Sequence, residues 1–313
     1  MSENIATRDA IVDSIIELAE YNDKILVLDA DLAGPTKVVR FEERYPDRFY
    51  QMGVSEQNMI GAAAGLASFG FIPFTSTFAC FAAKRACDQI RIVVAQPGMN
   101  VKIMGAYAGL FTGKTGKTHQ SVQDIAIMRS MPNMVVTEAG DATESHKMIE
   151  ALTDYDGPVY IRSTRDPVPR IFDERYSFKI GKAVQVREGS DVLIVSSGYM
   201  LHIALKVAEE LDQLDINAGL VNVSTLKPFD SELICNLASK VKGVVTIENH
   251  NIIGGLGSAV AEALSEGYPQ HLLRIGIQDT FGESADNESL AKKYGLDSDS
   301  MKTRIKQFLD RIA

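Results

Sequence analysis

The sequence predicts an α/β fold built as two successive three-layer α/β/α domains, the first with a mostly parallel sheet. Three observations predict it. Apolar bursts of strand length alternate with amphipathic stretches of helix length, the pattern of strands joined by crossover helices. The alternation pauses at the polar segment "DERYSFKIGKAVQVREGS" and restarts at "DVLIVSSG". The 313 residues are also enough to bury two cores. The expected division is a first domain over 1–172, a linker over 173–188 with a hairpin of its own, and a second domain over 189–313.

In the first domain an apolar face recurring at helical spacing predicts a helix over 6–21, and "KILVLDADL" reads as a strand. The stretch "QMGVSEQNMIGAAAGLASFGF" predicts a helix crowded with small residues and opened by Glu56. "IPFTSTF", β-branched and aromatic, predicts a short strand, and "AAKRACDQIRIVVAQ" one continuous helix. Strands follow at "NVKIMGAYAG", "NMVVTEAG" and "PVYIRST", with helices near 122–131 and 142–152.

The second domain repeats the scheme. Its strands are "DVLIVSSG", "AGLVNVST", "GVVTIENH" and "LLRIGIQ". Helices are expected over 200–211, 231–241 and 259–265, and "DSMKTRIKQFLDRI" closes the chain. The turn "NIIGGLGS" precedes the third of these helices.

Composition sets outer limits. A net charge of −9, from 32 Lys and Arg against 41 Asp and Glu, argues against nucleic acid or an anionic membrane as partner. Local arginines can still hold a small anion. The three cysteines, Cys80, Cys87 and Cys235, form no Cys-x-x-Cys pair and lie near no histidine at zinc-ligand spacing. Neither a metal site nor a disulfide framework is therefore expected, and Cys80 and Cys87 read as small apolar residues on one helix face. The opening residues lack the apolar core of a secretory signal, and no apolar run is long enough to cross a bilayer. A cytoplasmic location is expected.

Three patches of the first domain could carry chemistry. Glu56 opens a helix, where a carboxylate gains a few tenths of a kcal/mol from the dipole or else faces a ligand. Phe78 and Phe81 fall where a strand gives way to a helix, the usual place for sites in open parallel sheets. Two aromatics three apart serve either as core or as a platform for a flat heteroaromatic ring. "YAGLFTGKTGKTHQSVQD" is a polar, glycine-bearing loop in which His119 serves either as a capping residue or as an acid/base or substrate ligand. In the second domain, the "GGLG" at 254–257 follows a strand and opens a helix but lacks the full dinucleotide fingerprint. Tight helix–strand packing or a subunit contact suits it better.

In order and spacing, "ATRD", "LDADLAGPT", "GVSEQNM", "FTSTFACF", "GKTGKTHQSVQDIAIMRSMPNMVVTEAGDATE" and "VYIRSTRDP" resemble the C-terminal part of the transketolase family. The likeness covers essentially the whole chain. It implies a thiamine diphosphate pyrimidine-binding domain followed by a transketolase C-terminal domain. By this resemblance Glu56 matches the glutamate that hydrogen-bonds N1′ of the cofactor's aminopyrimidine and so assists proton removal from its thiazolium. Phe78 and Phe81 match the pocket that holds the pyrimidine, and Asp31 and Leu32 match residues near the thiazolium. Arg8, Thr36 and Arg165 match positions that hold a sugar phosphate, and His119 the histidine that contacts donor hydroxyls. Three departures bear on the substrate. Thr115 stands for a usual aspartate, Tyr107 for a phosphate-binding histidine, and Lys84 for a tyrosine often found in the pyrimidine pocket.

The segment that such enzymes use for Mg²⁺ and the diphosphate begins with Gly-Asp-Gly, which occurs nowhere in this sequence. The resemblance therefore implies one subunit of a split transketolase, inactive alone. The implied partner is a separate N-terminal subunit carrying Gly-Asp-Gly and the magnesium ligands, in a heterotetramer of two plus two. The expected reaction moves a two-carbon ketol unit from a ketose phosphate to an aldose phosphate. The alternatives are a 2-oxo acid dehydrogenase β-type subunit, a transketolase-like enzyme acting on a modified sugar, or a non-catalytic subunit that has kept the fold.

Overall fold

The computed structural model describes residues 4–312; the first three residues of the expected first domain and the last residue of the second lie outside the described residues. The strands are β1 (Ile5–Ala6), β2 (Ile25–Asp29), β3 (Phe49–Gln51), β4 (Ile72–Phe78), β5 (Lys102–Ala106), β6 (Val135–Glu138), β7 (Val159–Arg162), β8 (Pro167–Val168), β9 (Val184–Arg187), β10 (Val192–Ser196), β11 (Ala218–Asn222), β12 (Thr225–Lys227), β13 (Gly243–Asn251) and β14 (Leu272–Ile277). The helices are α1 (Thr7–Ala19), α2 (Ala33–Thr36), α3 (Val39–Arg44), α4 (Glu56–Ser68), α5 (Ala79–Arg85), α6 (Cys87–Gln89), α7 (Asp124–Ser130), α8 (Ala142–Asp154), α9 (Met200–Leu211), α10 (Ser231–Ala238), α11 (Leu256–Gly267), α12 (Asn287–Tyr294) and α13 (Ser298–Ile312).

The larger sheet has the order β12-β6-β7-β5-β4-β2-β3, parallel throughout except for β12, which runs antiparallel on β6. The smaller of the two main sheets has the order β14-β13-β10-β11-β9, parallel except for β9, and β1 and β8 form a separate antiparallel pair. The inner strands β2, β4, β5, β7 and β10 are buried at every position, as strands covered by helices on both faces must be. This is the α/β architecture that the alternating pattern predicts.

Several elements differ from the sequence reading, each for a local reason. The segment expected to hold a hairpin supplies only β9, which finds its partner in β11 at the open edge of the smaller sheet. The strand expected through residue 225 stops at Asn222. The chain then crosses over, and β12 completes the larger sheet, so second-half residues close a first-half edge. The continuous helix expected over 82–96 breaks at Ala86 (φ −102°, ψ 10°) and resumes as α6 and a π-helical turn, Ile90–Ala95, packed near α4. Cys80 and Cys87 thus fall on separate helices. The short α12 lies in a stretch too polar to announce itself.

One apolar core runs between the sheets: Val136, Ile125 and Met128 from the first half share it with Leu226, Ile234 and Leu256 from the second. Burying such side chains contributes about 1.5–3 kcal/mol each, so the two halves stabilise one another.

Candidate active site

The predicted site residues gather at the carboxyl ends of the parallel strands, where the backbone leaves the sheet and side chains can face a ligand. Asp31 and Leu32 follow β2, Phe78 ends β4, Tyr107 follows β5 and Arg165 follows β7. Glu56 is the first residue of α4, which enters after β3.

Aromatic rings line the floor. Phe78 stacks on Phe81 with centroids 5.7 Å apart and on Tyr107 at 4.3 Å. His119 stands edge-on to both phenylalanines, at 5.8 and 5.4 Å. Leu32 packs against the same cluster. The His119 Nδ1 meets the Thr118 hydroxyl at 2.9 Å, while its Nε2 makes no hydrogen bond among the described residues.

Cations stand around this floor. The guanidiniums of Arg8 and Arg165 lie 5.3 and 5.6 Å from the centroid of the Tyr107 ring. Arg8 donates to the Pro35 carbonyl and Arg165 to that of Thr112. Lys84, Lys114 and Lys117 are exposed nearby in sequence to the floor residues.

Glu56 is only 4 % exposed. Its Oε1 accepts a hydrogen bond of 2.7 Å from Nη1 of Arg85, whose guanidinium carbon lies 3.7 Å from the Phe81 ring centroid. Arg85 thus joins the acid to the aromatic floor. Nothing in the sequence links positions 29 apart, and sequence reasoning misses it.

Two predicted residues sit differently from the rest. Thr36 is buried, its hydroxyl donating to the Leu32 carbonyl and accepting from Ser76 Oγ, so it supports the loop from beneath. Asp31 is exposed at φ +62°, a strained left-handed backbone held by the Gln51 side chain, which accepts from the Asp31 N–H and donates to Asp29. Thr115 hydrogen-bonds Thr112 within the loop.

A second polar cluster lies behind the site, where the halves meet, and sequence reasoning did not single it out. Arg162 is fully buried and donates to Asp124 at 2.8 Å, to Glu138 at 2.7 Å and to the Asn249 carbonyl at 2.8 Å. Burial alone would raise the Asp124 carboxyl, but the Arg162 charge, His250 and the Tyr160 hydroxyl hold it below the usual range. Burial wins at Glu138, which stays above that range despite the same arginine.

Beside them, burial pushes Glu248 up to about 8 and His250 down to about 4. Both are therefore uncharged near neutrality, and their 4.0 Å approach is a contact rather than an ion pair. Glu248 accepts from the Gly257 N–H at the start of α11. A Cβ on Gly257 would come within 2.6 Å of that carboxyl, and one on Gly255 within 2.2 Å. The glycines of the 254–257 turn thus make room for a buried acid that caps the helix.

Comparison with known proteins fits this geometry. Residues 3–170 match the family described as "Transketolase, pyrimidine binding domain", and residues 181–301 match "Transketolase, C-terminal domain".

The chain belongs to the transketolase family.

It is 46 % identical to a 6-deoxy-6-sulfo-D-fructose transketolase subunit of Clostridium sp. (strain MSTE9), covering 92 % of this chain and 90 % of that one. It is 45 % identical to a putative transketolase C-terminal section of Methanocaldococcus jannaschii, covering 94 % and 93 %. One of the apulose-4-phosphate transketolase subunits of Phocaeicola vulgatus is 32 % identical over 98 % of both chains. Among solved structures, one described as a split gene transketolase in an inactive beta4 tetramer superposes with a TM-score of 0.91 at 43 % identity, covering 98 % and 99 %. The transketolase of Campylobacter jejuni shares the fold (TM-score 0.83, 20 % identity), and this chain spans 47 % of its length.

Transketolases are thiamine diphosphate-dependent transferases, and the site can be tested against that cofactor. A planar cation already bridges the Glu56 carboxylate and the Phe81 face. An acceptor and an aromatic surface are thus available together to a flat, nitrogen-rich ring, and the residues fit an aminopyrimidine. Among the described residues no group of three His, Cys, Asp or Glu side chains converges as a metal centre would require. No helix of the described residues is long and apolar enough to cross a membrane.

Proposed function

We propose that this chain is the pyrimidine-binding half of a two-chain transketolase, working with a separate N-terminal subunit that carries Gly-Asp-Gly and ligates Mg²⁺. The expected assembly is a two-plus-two heterotetramer, and the chain alone is expected to be inactive. Domain limits of 1–172 and 189–313 joined by 173–188 belong to the same reading. The observation that carries it is the gathering of Phe78, Phe81 and His119 at the carboxyl ends of the parallel strands, with Glu56 joined to them through Arg85, in a chain whose curated relatives include separate transketolase subunits of similar length.

Bound thiamine diphosphate would supply the carbon nucleophile for ketol transfer. The chain's own residues do the rest. Glu56, only 4 % exposed, would hold and exchange a proton at the pyrimidine N1′. Phe78 and Phe81 would hold the ring, and Asp31 and Leu32 would stand near the thiazolium. Arg8 and Arg165 would bind the anionic end of the sugar, and Thr36 supports the loop after β2 from beneath. His119, its Nδ1 fixed by Thr118, keeps Nε2 for the donor's hydroxyl groups.

The identity to a sulfofructose transketolase subunit favours a second donor class, a ketose ending in sulfonate. Arg8 and Arg165, 5.3 and 5.6 Å from the Tyr107 ring centroid, offer paired guanidiniums for either tetrahedral anion. The test is to co-purify the chain with its N-terminal partner and follow ketol transfer to ribose 5-phosphate from xylulose 5-phosphate and from 6-deoxy-6-sulfofructose. Transfer from at least one donor is expected. Oxidation of pyruvate with an artificial acceptor, without ketol transfer, would instead indicate the 2-oxo acid dehydrogenase reading.

A further inference from the structure

We infer that Arg85 occupies the cofactor's pyrimidine place in the subunit standing alone, and that binding requires its guanidinium to leave both Glu56 and the Phe81 face. The inference rests on the functional reading above. Arg85 is the last residue of α5, with its side chain 47 % exposed, so solvent lies open to its guanidinium. Its guanidinium makes the two contacts assigned to the pyrimidine: a 2.7 Å hydrogen bond to the Glu56 carboxylate and a 3.7 Å approach to the Phe81 ring.

The chemistry of the two groups is alike. A guanidinium, like an aminopyrimidine, is planar and delocalised and presents N–H donors at its edge. No other hydrogen bond reaches the Glu56 carboxylate among the described residues. Without Arg85, the lone subunit would hold a buried charge with no donor, which is costly. With Glu56 only 4 % exposed, a second partner reaches it by moving the first. Arg85 therefore keeps the half-site folded before assembly and competes with the cofactor afterwards.

Calorimetry on the complex with the N-terminal subunit tests this, titrating thiamine diphosphate with magnesium into wild type, Arg85→Ala and Arg85→Lys. Arg85→Ala is expected to bind about tenfold tighter, because apparent affinity scales with the fraction of sites left open, here about one in ten. Arg85→Lys, which keeps the charge but not the planar stack, is expected to lie between. Thermal unfolding supplies the second readout. Arg85→Ala is expected to lower the melting temperature of the lone chain and to leave that of the cofactor-loaded complex nearly unchanged. Unchanged or weaker binding by Arg85→Ala overturns the assignment, as does an equal loss of melting temperature in both preparations. A wild-type complex that takes up no thiamine diphosphate removes the functional reading, and this inference with it. Normal uptake with no gain in Arg85→Ala removes the inference alone.

Discussion

The site mouth and the junction behind it use the same residue types to opposite ends. At the junction, Arg162 is enclosed by Asp124, Glu138 and the Asn249 carbonyl, and every charge has its partner inside the chain. At the mouth, Arg8, Arg165 and Arg85 lean on aromatic faces or single acceptors, and among the described residues nothing hydrogen-bonds His119 Nε2. The junction is a closed network that holds two halves together. The mouth is an open one, with its hydrogen-bonding capacity kept for something outside the chain. Charge paired within a fold stabilises the fold; charge held against an aromatic ring at a strand end is free to meet a ligand.

Three substitutions sharpen or break this contrast. The largest effect is expected at the junction. Arg162→Ala strands two buried carboxylates and should cost about 3–5 kcal/mol, seen as a large fall in the urea midpoint or as loss of folded protein. A variant of near wild-type stability would mean that the network is not closed.

Next comes the mouth, where the effect should appear in rate rather than stability. Glu56→Gln in the reconstituted complex should lower turnover by about 10²–10⁴-fold, with the urea midpoint of the lone chain almost unmoved. A large loss of stability would place Glu56 with the structural charges instead.

The smallest effect concerns pH. The folded pKa of Glu248, about 8, lies above the ordinary 4.5, so its stabilising contribution is full below the ordinary value and is lost as pH rises through about 8. His250, held at about 4 against an ordinary 6.5, contributes fully above 6.5 and loses that contribution as pH falls through about 4. Between pH 6 and 9 the wild type should therefore lose stability that Glu248→Gln retains, measured as the difference in urea midpoints. Parallel profiles would show that Glu248 is ionised in the fold, despite its burial and in keeping with the nearby Arg162 and Arg274 charges.

Much of the site was legible in the sequence because strand ends are legible. "FTSTFACF" and "GVSEQNM" mark places where an apolar run stops and a helix starts, and such a junction in a parallel sheet faces the same edge as every other. Arg85 was not legible, since it meets Glu56 only because α5 packs beside α4. The buried state of Thr36 was hidden for a similar reason: its hydroxyl is claimed by Ser76, from strand β4. The junction was hidden in plain runs such as "VYIRST" and "TIENH", where a charge at the end of an apolar burst looks like an ordinary strand end.

Period and local chemistry by themselves determined the α/β class, the order of most elements and the strand-to-helix junctions that carry Glu56, Phe78, Phe81 and His119. These follow from interactions between near neighbours, which a linear sequence records. Tertiary structure alone decided that β12 closes the other half's sheet, that a buried acid requires the glycines of the 254–257 turn, and that Arg85 meets both Glu56 and the Phe81 ring. Each depends on which distant segments come within a few ångströms of one another, and that depends on how the whole chain buries its apolar faces at once.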